Sequence, residues 1–400
     1  MYVSTEPFRR GAARSAAKVP PTVLALGMVS LVTDISAEMV TAFLPMYLVY
    51  GLGAGYLQLG VVDGLYTGAT ALLRLVGGHV ADRTGRPKAV AAAGYGLSAV
   101  TKLGFPFAGG SLSAIGGLLA VDRAGKGIRT GPRDAMIALS SPPSALGRAF
   151  GVHRMMDTVG ALLGPVVAFA LVAWTAHDTV FVVSFGFAVV GLVILLVWVR
   201  EPVGVAPARK VRVRDGLRLL AQPAYRRICG YAVLLGLATV SDAFILVAVQ
   251  QRTGLAPGWL PLLPLGIAMT FLSAAIPVGR LADRFGRWRV FLAGHGLLLA
   301  VYALLAFGAG GWPVLIVALG LHGLFYAATD GVLMACAGPL LPDEVKASGL
   351  AVLQTGQALA RTVAAVLFGV AAAGWGLGPS FALFGGVLVV AVVLSRRLSW

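Results

Sequence analysis

Six ionisable side chains fall within the fifteen residues AVDRAGKGIRTGPRD at 120–134: Asp122, Arg123, Lys126, Arg129, Arg133 and Asp134. The stretches on either side, LSAIGGLLA and AMIALSS, carry no charge. Two more groups stand in apolar surroundings. VTDISAEMV places Asp34 and Glu38 one helical turn apart, and GVHRMMDTVG places His153 and Asp157 at the same spacing, with Arg154 beside them. Carboxylates held beside cations away from water have shifted proton affinities, so they can take up and release protons. Like charges raise one another's proton affinity. Asp34 and Glu38 are therefore the first candidates for proton carriers, with Arg123 tuning them and Asp157 a second carrier.

Helical spacing sorts the charged stretch. Asp122, Lys126, Arg129 and Arg133 follow i, i+4, i+7 and i+11 and share one face. Asp122 and Asp134 lie roughly 18 Å apart along such a helix. A charge at the middle of a bilayer costs at least about 2.5–3.5 kcal/mol, so this face must look onto partner charges or a wet cavity. Asp122, Lys126, Arg129 and His153 are candidates to line that cavity. The second half of the chain is sparser: Asp242, Asp330, Gln354 and Gln357 are its candidates, with His322, Arg361, Phe325 and Tyr326 nearby in sequence. The plain alternative for each is mutual neutralisation or helix packing.

The elements that must position these groups are membrane helices. The chain has 400 residues, of which 58% are hydrophobic and only 12% charged, with 53 glycines. A soluble domain carries about 25% charged residues. Apolar runs of about twenty residues, the length that crosses a bilayer core, recur along the chain. Twelve spans are predicted, at 22–50, 57–80, 88–108, 112–138, 147–172 and 178–199, then 227–250, 259–281, 289–309, 312–339, 346–372 and 378–395.

The connections alternate. One set is basic: the N-terminal tail, DRTGRPK at 82–88, the 200–226 linker, DRFGRWR at 283–289 and the C-terminal arginines. The other set, such as GLGAGY and GWGLG, is nearly uncharged. Positive charge marks the cytoplasmic side. The expected organisation is a cytoplasmic tail at 1–21, a six-helix bundle at 22–199, a cytoplasmic linker at 200–226, a second bundle at 227–395 and a cytoplasmic tail at 396–400. The net charge of +16 follows this alternation, so nucleic acid is not an expected partner. Cys229 and Cys336 fall in apolar segments and read as free thiols; no metal-ligand spacing or cofactor is expected.

The halves resemble each other. GHVADRTGRPK at 78–88 answers GRLADRFGRWR at 279–289, and Asp34 and Asp122 have counterparts in Asp242 and Asp330. Internal repetition suggests two bundles rocking about a central site.

Gly78, Asp82, Arg83, Gly85, Arg86 and Lys88 resemble the loop motif of the major facilitator superfamily. Gly279, Asp283, Arg284, Gly286, Arg287 and Arg289 resemble its second copy. The resemblance covers nearly the whole chain and implies the fold: an all-α membrane protein of twelve transmembrane helices in two pseudo-symmetric six-helix bundles. It implies that Asp82, Arg83, Arg86, Asp283, Arg284 and Arg287 latch the bundles, with Asp134 a partner for Arg86. Arg123 followed by Gly127 is similar in part to the family's fourth-span motif, which is linked to proton coupling. Gly160, Gly164 and Pro165 resemble the fifth-span motif of drug/proton antiporters, where close packing and a kink limit leak between bundles.

No enzyme signature is present, and no GxxxxGK[ST] phosphate loop points to ATP. The expected function is secondary active transport in the cytoplasmic membrane: proton-coupled export of a small organic molecule or drug by alternating access, from a monomer. The cationic fourth span suggests an anionic or zwitterionic cargo. The alternatives are a proton-coupled importer or facilitator of a metabolite, and a non-transporting receptor or scaffold.

Overall fold

The computed structural model describes residues 20–84, 86–141, 146–200, 217–308, 310–342 and 346–396, with side chains at 71, 72, 74–84, 146–148 and 346–348 outside that description. Among the described residues the chain is entirely helical. The first half comprises α1 (Pro21–Met46), α2 (Tyr56–Thr84), α3 (Pro87–Phe107), α4 (Leu112–Leu139), α5 (Leu146–Trp174) and α6 (Asp178–Trp198). The second comprises α7 (Pro223–Leu237), α8 (Asp242–Thr253), α9 (Leu263–Phe285), α10 (Arg287–Phe307), α11 (Trp312–Ala337), α12 (Lys346–Trp375) and α13 (Leu377–Ser395). Nine spans are long and apolar enough to cross a membrane among the described residues; α2, α3 and α4 are not among them. In α4 the six charges of the 120–134 stretch are the reason.

The predicted spans coincide with these helices within a few residues, with one correction. The seventh span was expected to be continuous, but it breaks into α7 and α8 at Ala238–Ser241. Ser241 caps α8, its hydroxyl accepting from the Ala243 N–H at 3.2 Å. A helix start inside a membrane leaves backbone groups without helical partners. Tyr302 of α10 supplies them: its hydroxyl accepts from the Val240 N–H at 2.6 Å and donates to the Ala238 carbonyl at 3.0 Å. Most of the 200–226 linker lies outside the described residues. Of the surface helix expected there, Leu219–Ala221 forms a 3₁₀ turn and Pro223 already begins α7.

The halves are built on one plan. In the first, α1 packs on α5 and α6, α4 on α2 and α3, and α3 on α6. In the second, α7 packs on α12 and α13, α11 on α9 and α10, and α10 on α13. The halves meet chiefly along α2 and α12, where small residues bring backbones together. A Cβ on Gly60 would stand 2.4 Å from the Ala365 carbonyl oxygen, and one on Gly369 would stand 2.7 Å from that of Tyr56.

Gly160 and Gly164 show the close packing expected of them. They press α5 onto α1 inside the first half, where a Cβ would meet the Leu31 carbonyl at 2.3 Å and Glu38 Cβ at 2.8 Å respectively. Pro165 follows within the same helix. Farther along α5, Phe169 meets Trp259 of the second half.

Candidate functional site

A cavity of about 460 Å³ lies between the halves. Glu38 and Thr41 of α1, Asp63 and Tyr66 of α2, Ser241 and Asp242 at the α7–α8 break, Tyr326 and Asp330 of α11, and Arg361 of α12 supply its polar wall. Leu48, Ile267 and Phe271 are among its apolar residues. The wall holds four carboxylates and one cation.

At one end the chamber is tied shut. Tyr50 donates to Gln250, and Gln251 donates to the Tyr56 hydroxyl at 3.1 Å. The Phe169 and Trp259 rings meet at 5.0 Å between centroids. These contacts lie at the end carrying the uncharged connections. Three hydrogen bonds thus join Tyr50 and Tyr56 of the first half to Gln250 and Gln251 of the second at this end.

The sequence candidates divide into three groups. Glu38, Asp242 and Asp330 reach the chamber. Glu38 accepts from Lys126 at 3.3 Å, and the same ammonium stands 3.8 Å from Asp34. Asp242 accepts from the Tyr326 hydroxyl at 2.8 Å and bonds the ring Nε2 of buried His322 at 2.9 Å, while 46% of its own side chain remains exposed.

A second group is buried in compensated contacts away from the chamber wall. Asp122, placed among cavity candidates from its spacing, is sealed between Lys102 at 2.9 Å and Arg123 at 2.7 Å, with Ser98 donating at 2.5 Å. Arg129 stacks over Tyr95 at 4.3 Å and stands 4.0 Å from Asp34. The common face expected of Asp122, Lys126, Arg129 and Arg133 is thus divided among neighbouring helices rather than turned to a cavity. Asp34 is buried too. Its carboxylate stands 3.8 Å from Lys126 and 4.0 Å from Arg129. Asp34 and Glu38 thus share Lys126 as a counter-charge.

The third group lies towards the basic-loop end. Asp157 also accepts from Ser30 at 2.8 Å and sits 3.8 Å from Arg133 and 3.5 Å from Arg154. His153 is buried with neither ring nitrogen hydrogen-bonded, so it does not line the chamber. Gln354 is exposed and Gln357 half-buried, and neither joins the chamber wall. Asp134 is bound by Arg133 at 3.0 Å. Its expected partner Arg86 is exposed, while Gly78, Asp82, Arg83 and Gly85 of that latch lie outside the described side chains or residues. In the second copy, Gly286 makes the turn at φ +100°. Arg287 pairs with Asp283 at 2.9 Å and donates to the Ala335 carbonyl at 2.9 Å, within one half. Arg284 lies over the Phe285 ring.

Sequence reasoning did not single out Tyr66, Lys102 or Tyr302. Lys102 was visible as a lone cation in an apolar span, and Ser241–Asp242 carried a capping signal inside the seventh. Nothing in the sequence marked Tyr66 or Tyr302 as different from other aromatic residues.

The family model described as Major Facilitator Superfamily matches residues 26–307 and 228–400. An uncharacterized MFS-type transporter of Methanocaldococcus jannaschii is 28% identical over 382 residues, covering 92% of each chain. A multi-drug resistance efflux pump homolog of Lactococcus lactis is 25% identical over 292 residues, covering 68% of this chain and 69% of its own. Among solved structures, the nucleoside transporter NupG superposes with a TM-score of 0.80 at 14% identity, covering 94% of this chain and 98% of its own. A POT family transporter in complex with 5-aminolevulinic acid superposes with a TM-score of 0.79 at 15% identity, covering 95% and 96%. The two structures speak to the fold alone.

Proposed function

Because the chain belongs to the major facilitator superfamily and is a multi-pass membrane transporter, we propose that it exports a small organic cation in exchange for protons. The observation that carries this reading is the charge of the chamber wall: Glu38, Asp63, Asp242 and Asp330 line it against Arg361, and among the described residues only Glu38 of the four is ion-paired to a lysine or arginine, Lys126. A buried carboxylate without a counter-charge is costly. Either protons or a bound cation can supply that charge, and each excludes the other. Competition for the same carboxylates is the physical basis of antiport. The apolar residues Leu48, Ile267 and Phe271 suit the hydrocarbon part of such a cargo. This departs from the anionic or zwitterionic cargo suggested by the fourth span, because Arg123 and Arg129 are engaged elsewhere.

A route for the proton runs from the chamber inward. Glu38 shares Lys126 with Asp34, and Ser30, one turn from Asp34 on α1, donates to Asp157. Protonation of Glu38 releases Lys126 from it and leaves Asp34 as the carboxylate paired with that ammonium. The wall carboxylate thereby communicates with the basic-loop end. Taking the basic connections as cytoplasmic makes the tied end external, so the chamber faces the cytoplasm, the loading side for an exporter. The distant efflux-pump homolog agrees with that direction.

The test uses everted membrane vesicles acidified inside. Addition of a transported lipophilic cation should raise the luminal pH, and Glu38→Gln should abolish this proton movement. Cation flux with no accompanying proton movement would leave a facilitator. Uptake stimulated by acid outside intact cells would indicate import.

A further inference from the structure

A second cavity, of about 1200 Å³, lies at the basic-loop end of the second half, bounded by α10, the last turns of α11 and α13, and the 283–286 turn. It is separate from the chamber and shares none of its residues. Four arginines line it, against one carboxylate. Arg287 is engaged with Asp283 and the Ala335 carbonyl. Arg284, Arg289 and Arg396 are exposed, and among the described residues none of the three forms an ion pair.

Below this cationic mouth the walls are apolar. Leu292 and Leu299 of α10 face Val389, Val392 and Val393 of α13 across the cleft. From Arg289 to Leu299 is ten residues of helix, about 15 Å of rise. That is half of the roughly 30 Å hydrocarbon core, the depth of a single leaflet. Val389 and Val393 are 44% and 54% exposed, so the cleft opens sideways towards lipid. Trp288, an aromatic at the level where such rings favour the membrane interface, donates its indole N–H to the Ser395 carbonyl at 3.0 Å. This bond fixes the end of α13 and with it Arg396.

We infer that this cleft binds one anionic phospholipid of the adjoining leaflet, its phosphate against Arg284, Arg289 and Arg396 and an acyl chain along Leu292, Leu299 and Val392. Three arginines without a described carboxylate partner call for an anion. The apolar wall, one leaflet deep and open sideways, calls for a chain attached to it. A free phosphate would satisfy only the mouth. The bound lipid bridges α10, α13 and the 283–286 turn, and stiffens the basic-loop end of this half.

The experiment is native mass spectrometry on the full chain in detergent, titrated with phosphatidylglycerol or with phosphatidylcholine of the same acyl chains. Phosphatidylglycerol should remain bound where phosphatidylcholine does not. The double variant Arg289→Gln/Arg396→Gln should weaken its binding by roughly tenfold or more. The variant Arg226→Gln/Arg227→Gln removes two exposed arginines at the start of α7, outside the cleft, and should leave binding unchanged. Equal losses in both variants would reduce the effect to general surface charge and overturn the site. Equal retention of both lipids would overturn it too. Soluble glycerol 3-phosphate should not displace the lipid at matched concentration; full displacement would mark a phosphate site without a chain. All four arginines are exposed, so a monodisperse elution profile suffices to establish folding.

Discussion

The guanidinium of Arg123 lies over the ring of Tyr66, 4.1 Å from its centroid, and donates to its hydroxyl at 2.8 Å. Tyr66 in turn shares a 2.7 Å hydrogen bond with Thr41, and both line the chamber. The arginine itself is almost fully buried, held from behind by Asp122. A sealed charge cluster thus ends in a phenol on the chamber wall. The cluster sets the position of Tyr66; it does not offer its own charges to cargo.

Asp122 is the counter-ion for both Lys102 and Arg123. Asp122→Asn keeps the shape but leaves two buried cations with no anion. Breaking a buried ion pair costs about 3–5 kcal/mol. A marked fall in the thermal midpoint in detergent is expected. Lys102→Met added to Asp122→Asn removes one of the two stranded cations and should recover part of that loss. No recovery would show that the cluster is not limited by its charge balance.

The α2–α12 seam makes a separate prediction about conformation. Gly60 has no room for a side chain, whereas a Cβ on Gly117 of α4 would meet nothing within 4 Å. Gly60→Val should wedge the tied end open. With both native cysteines replaced by serine and Thr67→Cys introduced as a reporter on the chamber wall, an impermeant thiol reagent added outside should label the Gly60→Val protein several-fold faster. Gly117→Val should label at the parent rate. Equal rates in all three would place the seal of the tied end elsewhere.

The bundle plan was legible because span length, basic loops and the 201-residue repeat of the loop motif are linear properties of a chain. The site was legible in part. Glu38, Asp242 and Asp330 stood out as carboxylates in apolar spans, and they do reach the chamber. Asp122 stood out equally and does not. Its counterpart Asp330 is exposed in the chamber while Asp122 is sealed. What separates them is Lys102, twenty residues away on another helix, which no spacing rule connects to Asp122. The face assigned to α4 by helical periodicity failed for the same reason. Long side chains on one face reach different neighbours, and α1, α2 and α3 all lie within reach of α4.

Asp242 and Asp330 separate cargo recognition from stability. Asp242 accepts from Tyr326 and bonds His322, whereas Asp330 is exposed with no ion pair among the described residues. Hydrogen bonds to a charged group contribute about 1.5–3 kcal/mol. Asp242→Asn should therefore weaken binding of a lipophilic cation by roughly ten- to a hundredfold. Asp330→Asn should weaken it less and leave the thermal midpoint unchanged. Binding measured by tryptophan fluorescence or thermal shift distinguishes them. Unaltered cation affinity in both variants would remove these carboxylates from the cargo site.

The break between α7 and α8 is the feature that turns Asp242 into the chamber, and a single hydroxyl serves both sides of it. Tyr302 is fully buried, accepts from Val240 and donates to Ala238. Tyr302→Phe fills the same volume and removes only the oxygen. Each buried backbone group left unpaired costs about 1–3 kcal/mol. Two outcomes could follow: the break persists at that cost, or the chain relieves it by closing the helix through Ala238–Ser241. Closure would rotate Asp242 away from His322 and Tyr326. Thermal unfolding should show the loss of stability in either case, and cation binding tells the two apart. Lower stability with parental affinity means that the break is fixed by Ser241 and the surrounding packing. Loss of both means that Tyr302 holds the chamber's acidic wall in place, which is the outcome we expect, since no other described side chain serves both of these backbone groups. An unchanged thermal midpoint would show that water replaces the hydroxyl there and that the break is wet.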